Sequence, residues 1–371
     1  MQQNENRPRC VISTLGTSLL TNQAESDLQH LLRKTANLRR EDYQEDDLRQ
    51  VELRERQVRR EILHASRDRV RAMSAELNGI LALPGGYLSD LHYLLHTDTL
   101  QGELCAQIVK DWMAHAGYRH VHLTKLGDLR TASQEEFALG IDNLLHWCDQ
   151  TLGDLRTNGY FIVFNLVGGF KSLQAYMQTI GMVYADEICY IFEGPGSPLL
   201  RIPRLPLRIV TTPLEKHAAL VVRLACGENV PAGQVRRLPE AYVNIVDNGA
   251  TLGEWGKLAW NQIRRDVLAG DLLSQPGLVY EESFKHAYQS ISDSDTRVAL
   301  QEALAKASTV WRKGGFTGLR ADEELRYTDN AEHPKYGHFR IHDALWASCQ
   351  PIARALWMRR IGSLDSVTRE P

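Results

Sequence analysis

The amino-acid sequence predicts an α/β chain. A doubly wound, mostly parallel sheet fills residues 1–210, a helical connector follows over 211–275, and a small α+β domain closes the chain over 276–371. Three observations carry this. From residue 80 to residue 207, short β-branched or aromatic runs alternate with helical stretches, the order that builds a parallel sheet between helices. Three such runs in the first half stop abruptly at polar loops, as buried parallel strands do when they feed loops at their carboxyl ends. After Pro276-Gly277 the order becomes strand, helix, helix and then stretches of period two, an antiparallel sheet under two helices.

The first strand is expected over 11–15, leading into Gly16-Thr17-Ser18. Residues 24–73 are dense in Arg, Glu, Asp and Gln, yet Leu28, Leu31, Leu32, Leu38, Leu48, Val51, Val58 and Ile62 recur at near-helical spacing. Pairs such as Glu52 with Arg56 and Glu55 with Arg59 support helix in water. This charged helical insertion is expected to pack by its sparse apolar stripe on its own sheet or on a dimer mate; a docking arm for another macromolecule is the alternative. Further strands are expected at 81–83, 93–96, 121–124, 161–164 and 188–192, with helices over 102–116, 132–152 and 171–181. Pro203 and Pro206 keep the end of this region extended. The connector is expected to be helical over 213–224 and 252–268, the latter with Trp255, Trp260 and Ile263 on one side. The terminal domain is expected to run from a strand at 278–280 through helices at 283–291 and 295–312, the second capped by Ser292 or Ser294, to strands at 325–327, 338–342, 345–349 and 354–361.

At 371 residues, 43% of them hydrophobic, the chain can bury two cores and a small third. A net charge of −3 argues against a protein coated in positive charge, so any nucleic-acid surface must be local. Cys10, Cys105, Cys148, Cys189, Cys226 and Cys349 form no CxxC pair and lie in apolar contexts, so they read as reduced core residues. The first nine residues are polar and no run of about 18 apolar residues occurs, which points to a cytoplasmic chain without a membrane partner.

The chemistry is expected at two places. Outside the carboxyl ends of parallel strands, Gly and small hydroxyl residues let backbone N–H groups approach phosphate. The candidates there are Leu15, Gly16, Thr17 and Ser18, then Thr97, Asp98 and Thr99, then Asn165, Gly168, Gly169, Phe170 and Lys171. The third loop lacks GxGxxG; Lys171 at the start of a helix, beside two glycines, would suit an anionic ligand, and a tight strand-to-helix turn is the alternative reading. In the terminal domain, His338, Arg340 and His342 alternate along one strand and so share a face, with Phe339 and Ile341 on the other. Arg359 and Arg360 lie on a neighbouring strand, and Lys313, Arg320, Lys335 and Tyr336 on connecting segments. Such a surface can hold an RNA backbone and stabilise a pentavalent phosphate while a His or a carboxylate moves protons. A solvated antiparallel face has the same alternation. His30, His64, His146, His217 and His286 read as surface or satisfied core groups, and no Ser/His/Asp order, zinc spacing or Walker lysine loop occurs.

Two resemblances rest on these motifs. Ile12-Ser13-Thr14-Leu15-Gly16-Thr17-Ser18-Leu19-Leu20-Thr21-Asn22, Ser74-Ala75-Glu76-Leu77, His96-Thr97-Asp98-Thr99 with Gly102-Glu103, Asn165-Leu166-Val167-Gly168-Gly169-Phe170-Lys171 and Tyr190-Ile191-Phe192-Glu193 together resemble a CARF domain, the Rossmann-like sensor of CRISPR type III systems. The resemblance implies a homodimer that binds a cyclic oligoadenylate across its two-fold axis through the three loops, with cyclic tetra-adenylate the best match to that symmetry. The element order after residue 276, with Phe284-Lys285, Phe339-Arg340-Ile341 and Leu356-Trp357-Met358-Arg359-Arg360-Ile361-Gly362, resembles a RelE-type mRNA interferase. Arg340 and His342 fall where RelE carries catalytic lysines, and Ser363-Leu364-Asp365-Ser366 replaces its basic tail.

The implied whole is a CARF sensor gating a metal-independent ribonuclease that cuts mRNA in the ribosomal A site and so inhibits translation. Arg340 with Arg359 or Arg360 would hold phosphate, His342 or His338 would transfer the proton, and Lys335 or Lys313 would bind substrate. No cofactor is expected beyond the activator; the ribosome is the expected partner, with the 24–73 insertion as a possible docking element. Two alternatives stand. One is a HEPN-like, ribosome-independent ribonuclease, for which Arg326 and His333 have the spacing but, with Asp329-Asn330 and Pro334 nearby, not the helical setting. The other is a non-catalytic adaptor or regulator.

Overall fold

The computed structural model describes residues 7–85, 88–130, 133–169, 171–192, 197–342 and 344–371, and divides the chain into two compact units, 1–208 and 209–371. The first is a six-stranded α/β sheet. Its elements are β1 (Arg9–Thr14), α1 (Ser18–Thr21), α2 (Ser26–Lys34), α3 (Glu45–Leu63), α4 (Arg67–Met73), α5 (Ala75–Ala82), β2 (Leu91–Thr97), α6 (Leu100–His115) and β3 (His120–Leu126). Then come α7 (Gln134–Thr157), β4 (Phe161–Asn165), α8 (Lys171–Tyr184), β5 (Glu187–Ile191) and β6 (Leu199–Pro203).

The strand order is β3-β2-β1-β4-β5-β6, parallel throughout except for the edge strand β6. β1 and β4 are buried along almost their whole length, as expected of central parallel strands covered on both faces. From β1 the chain first builds outward through β2 to β3 and then returns to place β4 on the other side of β1. Loops leaving β1 and β4 therefore diverge, and the switch point of the sheet lies between them.

The charged insertion forms three α-helices, and its apolar stripe packs into the core. Val51, Val58 and Ile62 of α3 are fully buried in one cluster with Ile108, Val109 and Trp112 of α6. The apolar stripe thus packs on its own unit; Arg59 joins the buried Glu55 to Asp111 of α6, and the Arg56–Glu52 pair faces outward along α3. Residues 81–83 are not a strand. Ser74 Oγ accepts the Leu77 N–H at 3.2 Å and starts α5, which carries Leu77 and Ile80 into the core at helical spacing.

The second unit opens with α9 (Thr212–Lys216), α10 (Ala218–Ala225), β7 (Val230–Pro231), β8 (Val243–Val246), β9 (Gly249–Leu252), α11 (Glu254–Asn261) and α12 (Arg264–Leu268). The segment read as a helical connector therefore also holds a small antiparallel sheet, β7-β9-β8. Its hairpin turns at Asp247 and Asn248, both at positive φ, a local turn signal ahead of Gly249 that the helical reading passed over. The chain continues through β10 (Leu278–Tyr280), α13 (Glu282–Gln289), α14 (Ser294–Ala321), β11 (Thr328–Asp329), β12 (Gly337–His342), β13 (Leu345–Ile352), β14 (Ala355–Gly362) and α15 (Leu364–Arg369).

The expected strand, helix, helix, strand succession is present, as a sheet of order β10-β14-β13-β12-β11 in which β10 runs parallel to β14. α13 and α14 set Phe284, Tyr288, Leu300 and Leu304 against Phe339, Ala347, Cys349 and Met358 of the sheet. Three details differ from expectation. Asp293, not a neighbouring serine, caps α14 by accepting the Thr296 N–H at 2.7 Å. α14 resumes beyond a break at Gly315 (φ 52°, ψ −137°) instead of ending there. Residues 325–327 form a turn with Arg326 at positive φ, so Leu325 and Tyr327 reach the core without joining the ladder. The six cysteines are free, and among the described residues no helix is long and apolar enough to cross a membrane.

Candidate functional site

The β1 and β4 loops enclose a crevice of about 530 Å³ at the switch point. Gly16, Thr17, Ser18, Gly168 and Gly169 line it as expected, joined by Arg71, Glu76, Asn78, Gln174, Tyr190 and Phe192. Glu76 organises the floor. Its Oε1 accepts the Gly16 N–H and its Oε2 pairs with the Ser74 hydroxyl, both at 2.8 Å. Burial pushes the Glu76 carboxyl above the usual carboxylate range, opposed by those donors.

The glycine loop lies directly on this group: a Cβ at Gly168 would stand 2.3 Å from Glu76 Oε1. Gly169 has φ +105°, and a Cβ there would meet Thr14 Oγ1 at 2.9 Å, so the loop turns where only glycine is unstrained. Thr14 Oγ1 donates to Gly168 O at 2.6 Å, and Gln174 Nε2 reaches the carbonyls of Leu166 and Gly168 at 3.3 Å each. The hydroxyl of Ser18 is buried without a partner among the described residues. The crevice is therefore a rigid, polar wall with a donor to spare.

Other expected ligand contacts lie elsewhere. Leu15 is in the hydrophobic core. Asn165 is fully buried, and its Nδ2 donates to Ser13 Oγ and Glu76 O at 3.0 and 3.1 Å, tying β4 to β1 and α5 beneath the crevice. Thr97 and Thr99 are buried and bond to each other at 2.9 Å, and Thr99 caps α6 by accepting the Gly102 N–H. Asp98 lines a different cavity of about 290 Å³ with Arg39, Arg40 and Lys125. Arg39 and Lys125 pair with it at 2.5 and 3.3 Å; burial alone would push its carboxyl up, and the Arg39 contact with its neighbours brings it below the usual range. The β2 loop is one strand away from the switch point, which is why it does not join the crevice. Phe170 and the side chain of Lys171 lie outside the described residues. Glu76, Gln174 and Arg71 were not among the expected site residues; the signal available for Glu76 was a lone carboxylate two residues after a serine cap in a mostly apolar helix.

In the second unit, the sheet face away from α13 and α14 carries most of the expected cationic residues. His338 pairs across the ladder with Ser348 and through it with Arg360, while Arg340 stands opposite Trp346. The ladder shifts between Arg340 and His342, so the three expected side chains do not form one regular row. His338 is only 5% exposed, with the Trp346 ring edge-on at 5.6 Å. Burial lowers its pKa and keeps it neutral.

Arg359 lies 4.9 Å over the Tyr336 ring and pairs with Glu281 at 3.1 Å; Arg360 pairs with Glu370 at 2.9 Å. Lys335 is exposed beside Tyr336. Lys313 belongs to α14, in the helical layer on the opposite face, so it is not brought to this surface. Arg326 sits in the turn before β11 and His333 in the loop after it, and neither is on a helix.

Fold and crevice together define the class: a mixed α/β protein with a Rossmann-like parallel sheet and a polar crevice at its switch point. Residues 71–205 match the family model of the CRISPR-associated protein Cas_APE2256, which supports a CRISPR-associated protein and a role in CRISPR defence. The matched stretch includes Glu76 and the glycine loop. No curated protein matches the chain.

Proposed function

We propose that the chain is a cyclic-oligoadenylate-activated ribonuclease of CRISPR defence. The crevice binds the activator, and the terminal sheet cleaves mRNA at the ribosome. The carrying observation is the crevice itself, where Gly16, Ser18, Gly168 and Gly169 meet over the buried Glu76. Glycine backbone and small hydroxyls at a switch point are what a phosphate-bearing ligand requires. A homodimer would present this crevice twice to a ligand with repeated phosphates, and cyclic tetra-adenylate remains the preferred activator.

On the terminal sheet, Arg340 and the paired Arg359 and Arg360 would neutralise the scissile phosphate. His342 would take the 2′-OH proton as the 2′-oxygen bonds to phosphorus; the P–O5′ bond then breaks and the 5′-oxygen is protonated from water. His338 is buried, so its part would be to shape the face. Lys335 would hold the RNA backbone. No metal is needed for this step.

The test is cleavage of an mRNA with and without translating ribosomes, in the presence and absence of cyclic tetra-adenylate, by the parent and by Arg340→Ala. Cutting that needs ribosome and ligand and is lost in Arg340→Ala supports the reading; ligand-dependent cutting of free RNA points to a ribosome-independent nuclease. A non-catalytic adaptor is the second reading, favoured by the carboxylates that hold Arg359 and Arg360. Ribosome or RNA binding without any cleavage would establish it.

A further inference from the structure

Beside the crevice lies a second cavity of about 550 Å³ that no expectation placed. The two share Thr17, Thr21, Asn22 and Ala72, so they adjoin. The far wall is formed by Gln29 and Arg33 of α2, and no carboxylate lines the cavity among the described residues. Arg33 is exposed and takes no hydrogen bond or ion pair among the described residues, unlike Arg40, Arg59 and Arg69 of the same insertion, each of which meets a carboxylate.

The shared wall is held in place from inside. Arg54 of α3, 6% exposed, donates to the carbonyls of Leu20 and Asn22 at 3.1 and 2.6 Å, and Arg69 Nη2 donates to the side chain of Gln23, whose backbone is left-handed at φ 59°. Gln29 Nε2 donates to Ala24 O at 3.0 Å and fixes the start of α2. A buried arginine is thus spent on shaping a turn whose outer surface presents hydroxyls, amides and one unpaired guanidinium.

We propose that this cavity is a second anion subsite, centred on Arg33, for a further phosphate of an oligonucleotide that extends out of the crevice. The proposal rests on the reading of the crevice as a phosphate site. Each cavity has the volume of a small-molecule pocket, within the range of roughly 300–1,000 Å³, and the wall between them is made of short polar side chains. The ligand class that fits is therefore a nucleotide chain or ring with more than one phosphate, and the insertion's role is to complete the site.

The experiment is calorimetric titration of the full chain with cyclic tri-, tetra- and hexa-adenylate, for the parent, Arg33→Gln and Arg33→Lys. Arg33 has no partner to lose, so neither variant should disturb the fold. The expected result is a loss of about tenfold or more for Arg33→Gln on at least one ring, as for a charge-assisted hydrogen bond. Arg33→Lys should lose less, and the salt dependence for Arg33→Gln should be shallower by about 0.7 in log–log slope. Equal affinity of parent and Arg33→Gln on every ring that binds would overturn the second subsite and leave the crevice reading intact. If the parent binds none of the three, the crevice reading fails and this inference with it.

Discussion

The crevice of the first unit and the sheet face of the second are built from opposite materials. Backbone and a buried acid make the crevice: the Gly16 N–H is held by Glu76, and the glycine loop rests on the same carboxyl. Charged side chains make the sheet face, where Arg359 and Arg360 each already hold a carboxylate, Glu281 and Glu370. A backbone site is finished before its ligand arrives. A site of ion-paired arginines is set by exchange, since a phosphate must displace the carboxylate that the arginine holds. On the proposed function, that difference would suit a sensor that must be preformed and an output that must be kept quiet.

The largest effect expected from this contrast is at Gly168. Gly168→Val would drive its side chain into Glu76 and should cost about 1–3 kcal/mol, as overpacking does. The urea midpoint of the full chain reads this directly, and an unchanged midpoint would mean that Glu76 is not a fixed floor. Smaller, and dependent on pH, is the effect of Glu76→Gln. The folded-state pKa of Glu76 is raised above its unfolded value of 4.5, so the fold favours the protonated form. The resulting stability is whole below that value and is lost as pH rises through the folded pKa.

Gln is neutral throughout, so the thermal midpoint of Glu76→Gln should gain on the parent as pH rises above 4.5; a constant gap would show that the folded acid titrates as it does in the unfolded chain. The smallest effect is expected on the sheet face. The Arg360–Glu370 pair is exposed, and Glu370→Gln should leave the thermal midpoint unmoved while tightening RNA binding by freeing Arg360. A clear drop in the midpoint would mean instead that the pair holds α15 in place.

Much of this was legible along the chain. The β1, β2, β4 and β5 runs, the helices between them and the switch to period two after residue 276 are local patterns, and local patterns survive in a sequence. Misreadings came where a short apolar run had two outcomes. Residues 81–83 are as apolar as a strand, but the Ser74 cap upstream commits Leu81 and Ala82 to α5, which ends at Leu83. The charged insertion does pack by its sparse apolar stripe, as expected; which surface Val51, Val58 and Ile62 find was not legible, because it is supplied by α6, which comes later in the chain.

Alternation of polar and apolar residues placed His338 on an accessible face, and the neighbouring strand then buried it beneath Trp346. Sequence by itself determined that this protein has a parallel sheet with glycine loops at its strand ends and a separate terminal sheet bearing cations, because hydrogen-bonding period and side-chain alternation act over a few residues. Only the tertiary structure decided which loops meet. Gly16, Glu76 and Gly168 converge because β4 returns beside β1, and the Thr97 loop stays out because β2 lies on the other side. Arg33 lines the adjoining cavity, where Arg54 of α3 holds the turn between α1 and α2. Those are distances in space that no local period encodes.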